Sequence, residues 1–404
     1  MLFITRPWPT LLTVLALSFA LSAFLGNNIA TAKPTAVSQL FNLPEQPSVQ
    51  RQTDIQTLNQ QFAASVVIPT YQNLLEQTSY LVQATQDFEK SPTANHLQSI
   101  EDAWLAAQST WAVGNAFEFG PVHSLGYGPA ITSPVDTAGI NQLLDSSLLM
   151  SEASDQLQIP QLRTSLRGLD AIAYVLHDRT DNSSVPNQVP NQENRSADDF
   201  SRSERAYLSY AASEIHTAAS GLLSVWQVGW NGYPAYANIL ASAGSDENAV
   251  YLSAEAGTEE IIRGIVNSLD VLTQETIPDL IESTNSAESI ELSAIDLQLL
   301  SSTIKGIQLA YRGHQLNAPI RFSELRTNGL FTGRSMGLAG VMNPINAERN
   351  LDIQVSLATA MTQVDGLIES AEKEAAGLAL TDALAALTRA QSLLETDVLS
   401  LVQN

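Results

Sequence analysis

The sequence predicts an all-α protein made of two helical halves. Three observations carry this. Apolar residues recur every three or four positions in most segments after residue 54. Clusters such as Ser91-Pro92-Thr93 punctuate the junctions between those segments. And Ile262-Arg-Gly-Ile265 echoes Leu166-Arg-Gly-Leu169, which fits a duplicated bundle. With 404 residues and 44% hydrophobic content, the chain can bury a large core. Cysteine is absent, so core packing alone holds the fold. Its absence also excludes disulfides, thiolate nucleophiles, Cys-ligated zinc and iron–sulfur clusters.

In chain order, residues 1–32 read as a signal peptide. Arg6 is the positive end, Leu11 to Gly26 the apolar run, and Ala30-Thr-Ala32 the small residues of a cleavage site. Residues 33–53 are rich in Pro, Gln and Ser and read as a flexible linker. Residues 54–228 form the expected N-terminal bundle. Its first helix carries Ile55, Leu58, Phe62 and Val66 on one face, and Pro69 predicts a kink or a break. A second helix, Thr93 to Val113, aligns Ile100, Trp104, Ala107 and Trp111. A Gly- and Pro-dense loop follows to Pro134, and another helix spans Ser203 to Trp226. Residues 178–199 are polar and read as a mobile loop. The C-terminal bundle is expected over 229–404, with helices at Tyr233–Ala243, Asn248–Leu280, Leu292–Tyr311, Ala347–Ala371 and Leu380–Val402.

The stretch from Leu166 to His177 organises the reading of a site. At helical spacing, Leu166, Leu169, Ile172, Ala173 and Leu176 face a core. Arg167, Asp170, Tyr174 and His177 fall in a row on the neighbouring face. Such a row either lines a ligand cleft or forms a solvated face with an Arg167–Asp170 ion pair.

Several chemistries are excluded or disfavoured. Formal charge is −23, from 19 Lys+Arg against 42 Asp+Glu, without a basic cluster, which disfavours nucleic acid and favours cations. His-Glu-x-x-His, the phosphate-binding loop and the dinucleotide glycine pattern are absent. None of the five histidines has an acid three residues before it, which excludes the usual di-iron bundle. Gly333-Arg-Ser335-Met-Gly337 matches a nucleophile elbow, but no histidine follows it and no good strand precedes it. Those glycines fit a tight turn, with Arg334 available to a carboxylate or an anion.

Val67-Ile-Pro-Thr-Tyr71, the spaced Trp104 and Trp111, Ala116-Phe-Glu-Phe-Gly-Pro121, Pro134-Val-Asp136 and Leu166-Arg-Gly-Leu-Asp170 occur in one order. In that order they resemble the imelysin-like family, classed with the M75 peptidases and including the cyanobacterial iron-regulated protein A group. The resemblance implies an exported protein of two pseudo-symmetric four-helix-bundle-like domains, tied to iron uptake. The family signature is Gly-x-His-x-x-Glu; here Asp170 and Ala173 stand at the His and Glu positions. Asp170 remains a possible oxygen ligand, whereas Ala173 offers no donor atom, which counts against hydrolysis. The resemblance also places the Glu118 segment beside the signature helix. The expected ligand-binding residues are therefore Arg167, Asp170, Tyr174, His177, Glu118 and Arg334, with Asp170 and Glu118 as metal ligands. The expected function is a periplasmic binding protein for iron, another divalent cation or a small metal complex, working through a polar cleft between the bundles and with an envelope protein as a further partner. A metallopeptidase, or an adaptor whose cleft takes a protein or peptide, is the alternative.

Overall fold

Helix α1 (Ser48–Phe62) begins inside the stretch read from sequence as linker. In the computed structural model Pro69 does not break the helical path. The chain widens into a π-turn at Ala63–Val67 and runs on as α2 (Ile68–Lys90), with helical backbone angles at both Phe62 and Ile68. The π-turn shifts the hydrogen-bond ladder by one residue, with the Ile68 N–H donating to the Ala63 carbonyl, and Pro69 follows at this wider turn, where the ladder is already interrupted. The same device recurs in the second half: α10 (Ala254–Val271) opens into a π-turn at Leu272–Thr276, and Pro278 stands in the first turn of α11 (Ile277–Asn285). By contrast, the Arg-Gly echo does not mark equivalent positions. Arg263 and Gly264 lie within α10, whereas Gly168 precedes a helix.

The structure describes residues 48–145, 162–179, 195–285, 293–314, 337–369 and 373–403. The expected signal peptide, most of the polar loop at 178–199, Arg334 and Ser335 lie outside them. Helix α3 (Ala94–Gly114) starts at Thr93, whose side chain accepts from the His96 N–H. The Gly/Pro-dense segment contains short helices α4 (Pro121–Ser124), α5 (Tyr127–Ile131) and α6 (Thr137–Asp145). The signature helix α7 is brief (Leu169–Ala173) and ends in a π-turn at Tyr174–Asp178. Helix α8 (Arg202–Gln227) opens with a reciprocal Ser201–Glu204 capping box. A two-residue hairpin, β1 (Gly229–Trp230) and β2 (Tyr233–Pro234), then leads into α9 (Tyr236–Ala241). The second half continues with α12 (Ala294–Arg312), α13 (Leu338–Ile345), α14 (Ala347–Glu369), α15 (Lys373–Leu393) and α16 (Leu399–Gln403).

Helix α2 packs along both α3 and α8; in the second half α14 packs against α12 and α15. The halves meet where α12 lies on α3 and where α10 lies on the Asn115–Phe117 turn. The first of these approaches depends on Gly306, because a Cβ there would stand 2.1 Å from the Val113 carbonyl oxygen. Residues from Ser48 onward form one compact unit around a core that includes Trp226, Tyr71, Tyr207, Tyr311, Phe62 and Phe117.

Candidate functional site

Gly168 sets the entry to the site. Its φ of +106° is one L side chains rarely adopt, and a Cβ would meet the Ile131 carbonyl oxygen at 2.9 Å. Two buried side chains fix the backbone on either side. Tyr207 donates from its hydroxyl to the Leu166 carbonyl at 2.9 Å, and the Trp104 indole N–H donates to the Leu169 carbonyl at 2.9 Å. The apolar stripe is placed as expected, with Leu166, Leu169, Ile172 and Leu176 all buried.

The polar row is not a row. Because α7 starts only at Leu169, Arg167 is extended (φ −152°, ψ 173°) and leaves the helical file. Its guanidinium pairs with Glu214 of α8, so the expected Arg167–Asp170 ion pair gives way to an Arg167–Glu214 pair. Asp170 lies half-buried in the first turn of α7. Burial pushes its carboxyl up to about 6, opposed by hydrogen bonds from Gln108 and from the Ser133 backbone. Gln108 Nε2 donates to Asp170 Oδ1 at 3.3 Å, while the Gln108 Oε1 atom is buried without a hydrogen-bond partner. Tyr174 is half-buried against the core. The π-turn carries His177 outward, where it is exposed with its ring edge-on to Trp104, centroids 5.6 Å apart.

Glu118 belongs to a different neighbourhood. It follows the Asn115–Phe117 turn, and burial pushes its carboxyl up to about 7. The Tyr71 hydroxyl is fully buried without a hydrogen-bond partner; burial first, then the Glu118 charge, raises its pKa. The Tyr71 ring stands 6.2 Å from that of Trp226, whose indole N–H is likewise buried and unpartnered. The sequence pairs Glu118 with Asp170 as oxygen ligands; among the described residues, neither carboxyl's shift carries a contribution from the other's charge. His123 is exposed, and Asp136 serves its own loop by accepting from the Gly139 N–H and from Arg163.

Among the described residues no three His, Asp or Glu side chains gather closely enough to hold one metal ion. At Asp170 a hard cation would find one carboxylate, against the six or more oxygens such ions take, because Gln108 turns its amide N–H and not its oxygen to Asp170. These residues therefore do not fit a resident, protein-caged metal.

Sequence reasoning missed the groups that hold the signature segment. Arg179, directly after the π-turn, donates to Glu204 Oε1 (2.6 Å), Asp145 (2.6 Å) and Asn141 (3.0 Å). Arg195 donates to the same Glu204 oxygen (2.7 Å) and to the Val175 carbonyl (2.7 Å). One buried carboxylate thus ties both flanks of the polar segment to the end of the signature helix. Gln108 had a visible signal: it falls one turn after Trp104 and one turn before Trp111, a polar residue inside an apolar stripe. Glu204 had one too, as the acid three residues after Ser201 in a Ser-x-x-Glu cap.

Comparison with known proteins bears on this geometry. The family model described as Imelysin (Peptidase_M75) matches residues 67–394. The chain is 28% identical over 351 residues to iron-regulated protein A of Synechococcus elongatus, covering 85% of this chain and 86% of that protein. A solved structure described as an iron-regulated protein A precursor from Parabacteroides distasonis superposes with a TM-score of 0.64 at 18% identity, covering 87% of this chain and 98% of the other. An imelysin-like protein from Psychrobacter arcticum gives a TM-score of 0.55 at 13% identity, covering 87% and 96%. These two structures speak to the fold alone.

Proposed function

The chain belongs to the imelysin family, and from that premise we propose that it is an exported binding protein that takes up a small iron complex at the polar face around Asp170. The observation carrying this is the half-buried Asp170 carboxyl, held by hydrogen bonds from the Gln108 amide and the Ser133 backbone at the position where the family signature has a ligand. A complex with an open coordination position takes the Asp170 carboxylate, and its own donors supply the rest. The relative's name, iron-regulated protein A, supports iron as the cargo. The net charge of −23 supports a neutral or cationic complex over an anionic one. Export rests on the Leu11–Gly26 apolar run and the Ala30-Thr-Ala32 site. No helix among the described residues is long and apolar enough to cross a membrane.

Hydrolysis by a metal-activated water asks for about three protein ligands, and Asp170 and Ala173 stand where the family carries its ligand pair. Calorimetry tests the binding reading. The probes are ferric nitrilotriacetate (a neutral complex with open coordination positions), ferrous ion and zinc ion, titrated into wild type and Asp170→Ala. The ferric complex binds wild type and binds the variant at least about tenfold more weakly, a loss of about 1.4 kcal/mol. Equal affinity for both proteins removes Asp170 from the site. Chelator-sensitive cleavage of an unfolded protein by the wild type restores the peptidase.

A further inference from the structure

Large apolar side chains left in water are concentrated in one stretch of the chain. Among the described residues, nine stand exposed, and Val228, Trp230, Tyr233, Val250 and Leu252 of these lie within one short span. Two elements present them. The first is the β1–β2 hairpin, closed by Asn231 (φ 47°) and Gly232 (φ 85°), the paired left-handed residues of a type I′ turn. Trp230 and Tyr233 are direct cross-strand partners, so their side chains leave the same face of the hairpin. The second is the loop after α9. Its Tyr251 is buried, with its hydroxyl 2.6 Å from that of Tyr236, while Val250 and Leu252 on either side of it are 55% and 85% exposed.

The platform under these residues is rigid. Gly244 donates to the Tyr251 carbonyl at 2.9 Å, and Asn248 donates to the Ile239 carbonyl at 2.6 Å, which ties the loop to α9. Tyr236 in turn packs edge-on against buried Trp226, ring centroids 4.9 Å apart. A preorganised patch with an exposed Trp and Tyr has the composition of an interface centre.

Charge narrows the occupant. Between Arg205 and Arg263 the chain has no Lys or Arg; Glu214 and Glu259 are paired with Arg167 and Arg263, while Asp246, Glu247 and Glu255 lie close in sequence to the exposed loop. Asp246 and Glu247 are exposed in the same loop as Val250 and Leu252. A rim of this sign repels an anionic bilayer and repels a second copy of the same face. We propose that the β1–β2 hairpin and the 250–252 loop form the docking surface for a protein partner whose matching face is apolar at its centre and rimmed by Lys and Arg. The surface acts independently of the Asp170 site.

A photo-crosslinking residue in place of Tyr233, in cells producing the full chain, tests this. Adducts are identified by mass, and the identified protein is purified and titrated against wild type, Trp230→Ser and Leu252→Ser. Trp230 is the exposed tryptophan among the described residues, so a blue shift of its emission reports contact directly. The expected adduct is to another protein. Its Kd rises about tenfold with Trp230→Ser and about tenfold as salt goes from about 50 to about 300 mM. Both serine variants alter exposed side chains, and unchanged thermal unfolding checks their fold. An adduct to lipid, an adduct to a second copy, no adduct, or an affinity indifferent to salt or to Trp230→Ser overturns the proposal.

Discussion

Glu204→Ala removes the carboxylate that Arg179 and Arg195 share. The Glu204 side chain is 2% exposed, against 9% for Arg179 and 14% for Arg195, so all three charges sit out of water. After truncation Arg179 keeps Asp145 and Asn141, and Arg195 keeps the carbonyls of Val175 and Asp199, the nearby Asp199 charge and the face of Phe200. Removing one partner of a buried ion pair costs about 3–5 kcal/mol. Arg179's remaining partner pulls that figure down, and the loss of Glu204 from the α8 cap raises it again by about 1 kcal/mol. The prediction is a loss of about 4 kcal/mol in urea unfolding at pH 7, with the melting temperature lower by roughly 10 °C. Burial alone would raise the Glu204 carboxyl, but hydrogen bonds from Ser201 and Arg195 outweigh it and hold the group below its usual range. Its contribution is therefore present at neutral pH and lost as pH falls through that depressed value, so wild type and variant converge in acid. Glu204→Gln, which keeps the shape, loses about half as much. A loss under about 1 kcal/mol, or a difference that does not shrink in acid, refutes the shared-carboxylate account.

Glu118 predicts the opposite pH trend, because burial raises its carboxyl from 4.5 to about 7. Stability from the neutral form is complete below the unfolded value and is lost as pH rises through about 7. Relative to Glu118→Gln, wild type should lose on the order of 2–3 kcal/mol between about pH 4 and about pH 8 in urea titrations; parallel curves would mean the carboxyl stays hydrated. Gly168→Ala imposes a strained φ and a contact with the Ile131 carbonyl. It should cost about 2–3 kcal/mol in chemical unfolding and remove the hydrogen-exchange protection of α7; a neutral substitution would show that the turn is not held as described.

The helices were legible because packing imposes their period. Ile100, Trp104, Ala107 and Trp111 are placed as their spacing predicts, and α12 and α14 end within a residue or two of the expected positions. Proline misled at residue 69 because a π-turn, which leaves no mark in apolar spacing, places Pro69 in the first turn of the next helix. The Leu166–His177 row failed for a related reason. One left-handed glycine delays the helix and one π-turn rotates its end, so Arg167 and His177 leave the face that ideal geometry gives them. Partners distant in sequence, such as Gln108 for Asp170 and Glu214 for Arg167, are set by how α3 and α8 pack on the signature segment. The Asn231-Gly232 turn did leave a signal, since Asn-Gly favours a type I′ hairpin, and the helix expected from Tyr233 missed it.

The most direct test of the Asp170 site is the pH dependence of its affinity for ferric nitrilotriacetate. The carboxyl, raised to about 6 by burial, must be ionised to bind iron. The affinity of wild type should therefore rise about tenfold from about pH 5 to about pH 7, and that rise should vanish in Asp170→Asn. A flat profile in wild type, or the same rise in both proteins, would place iron binding elsewhere on the chain.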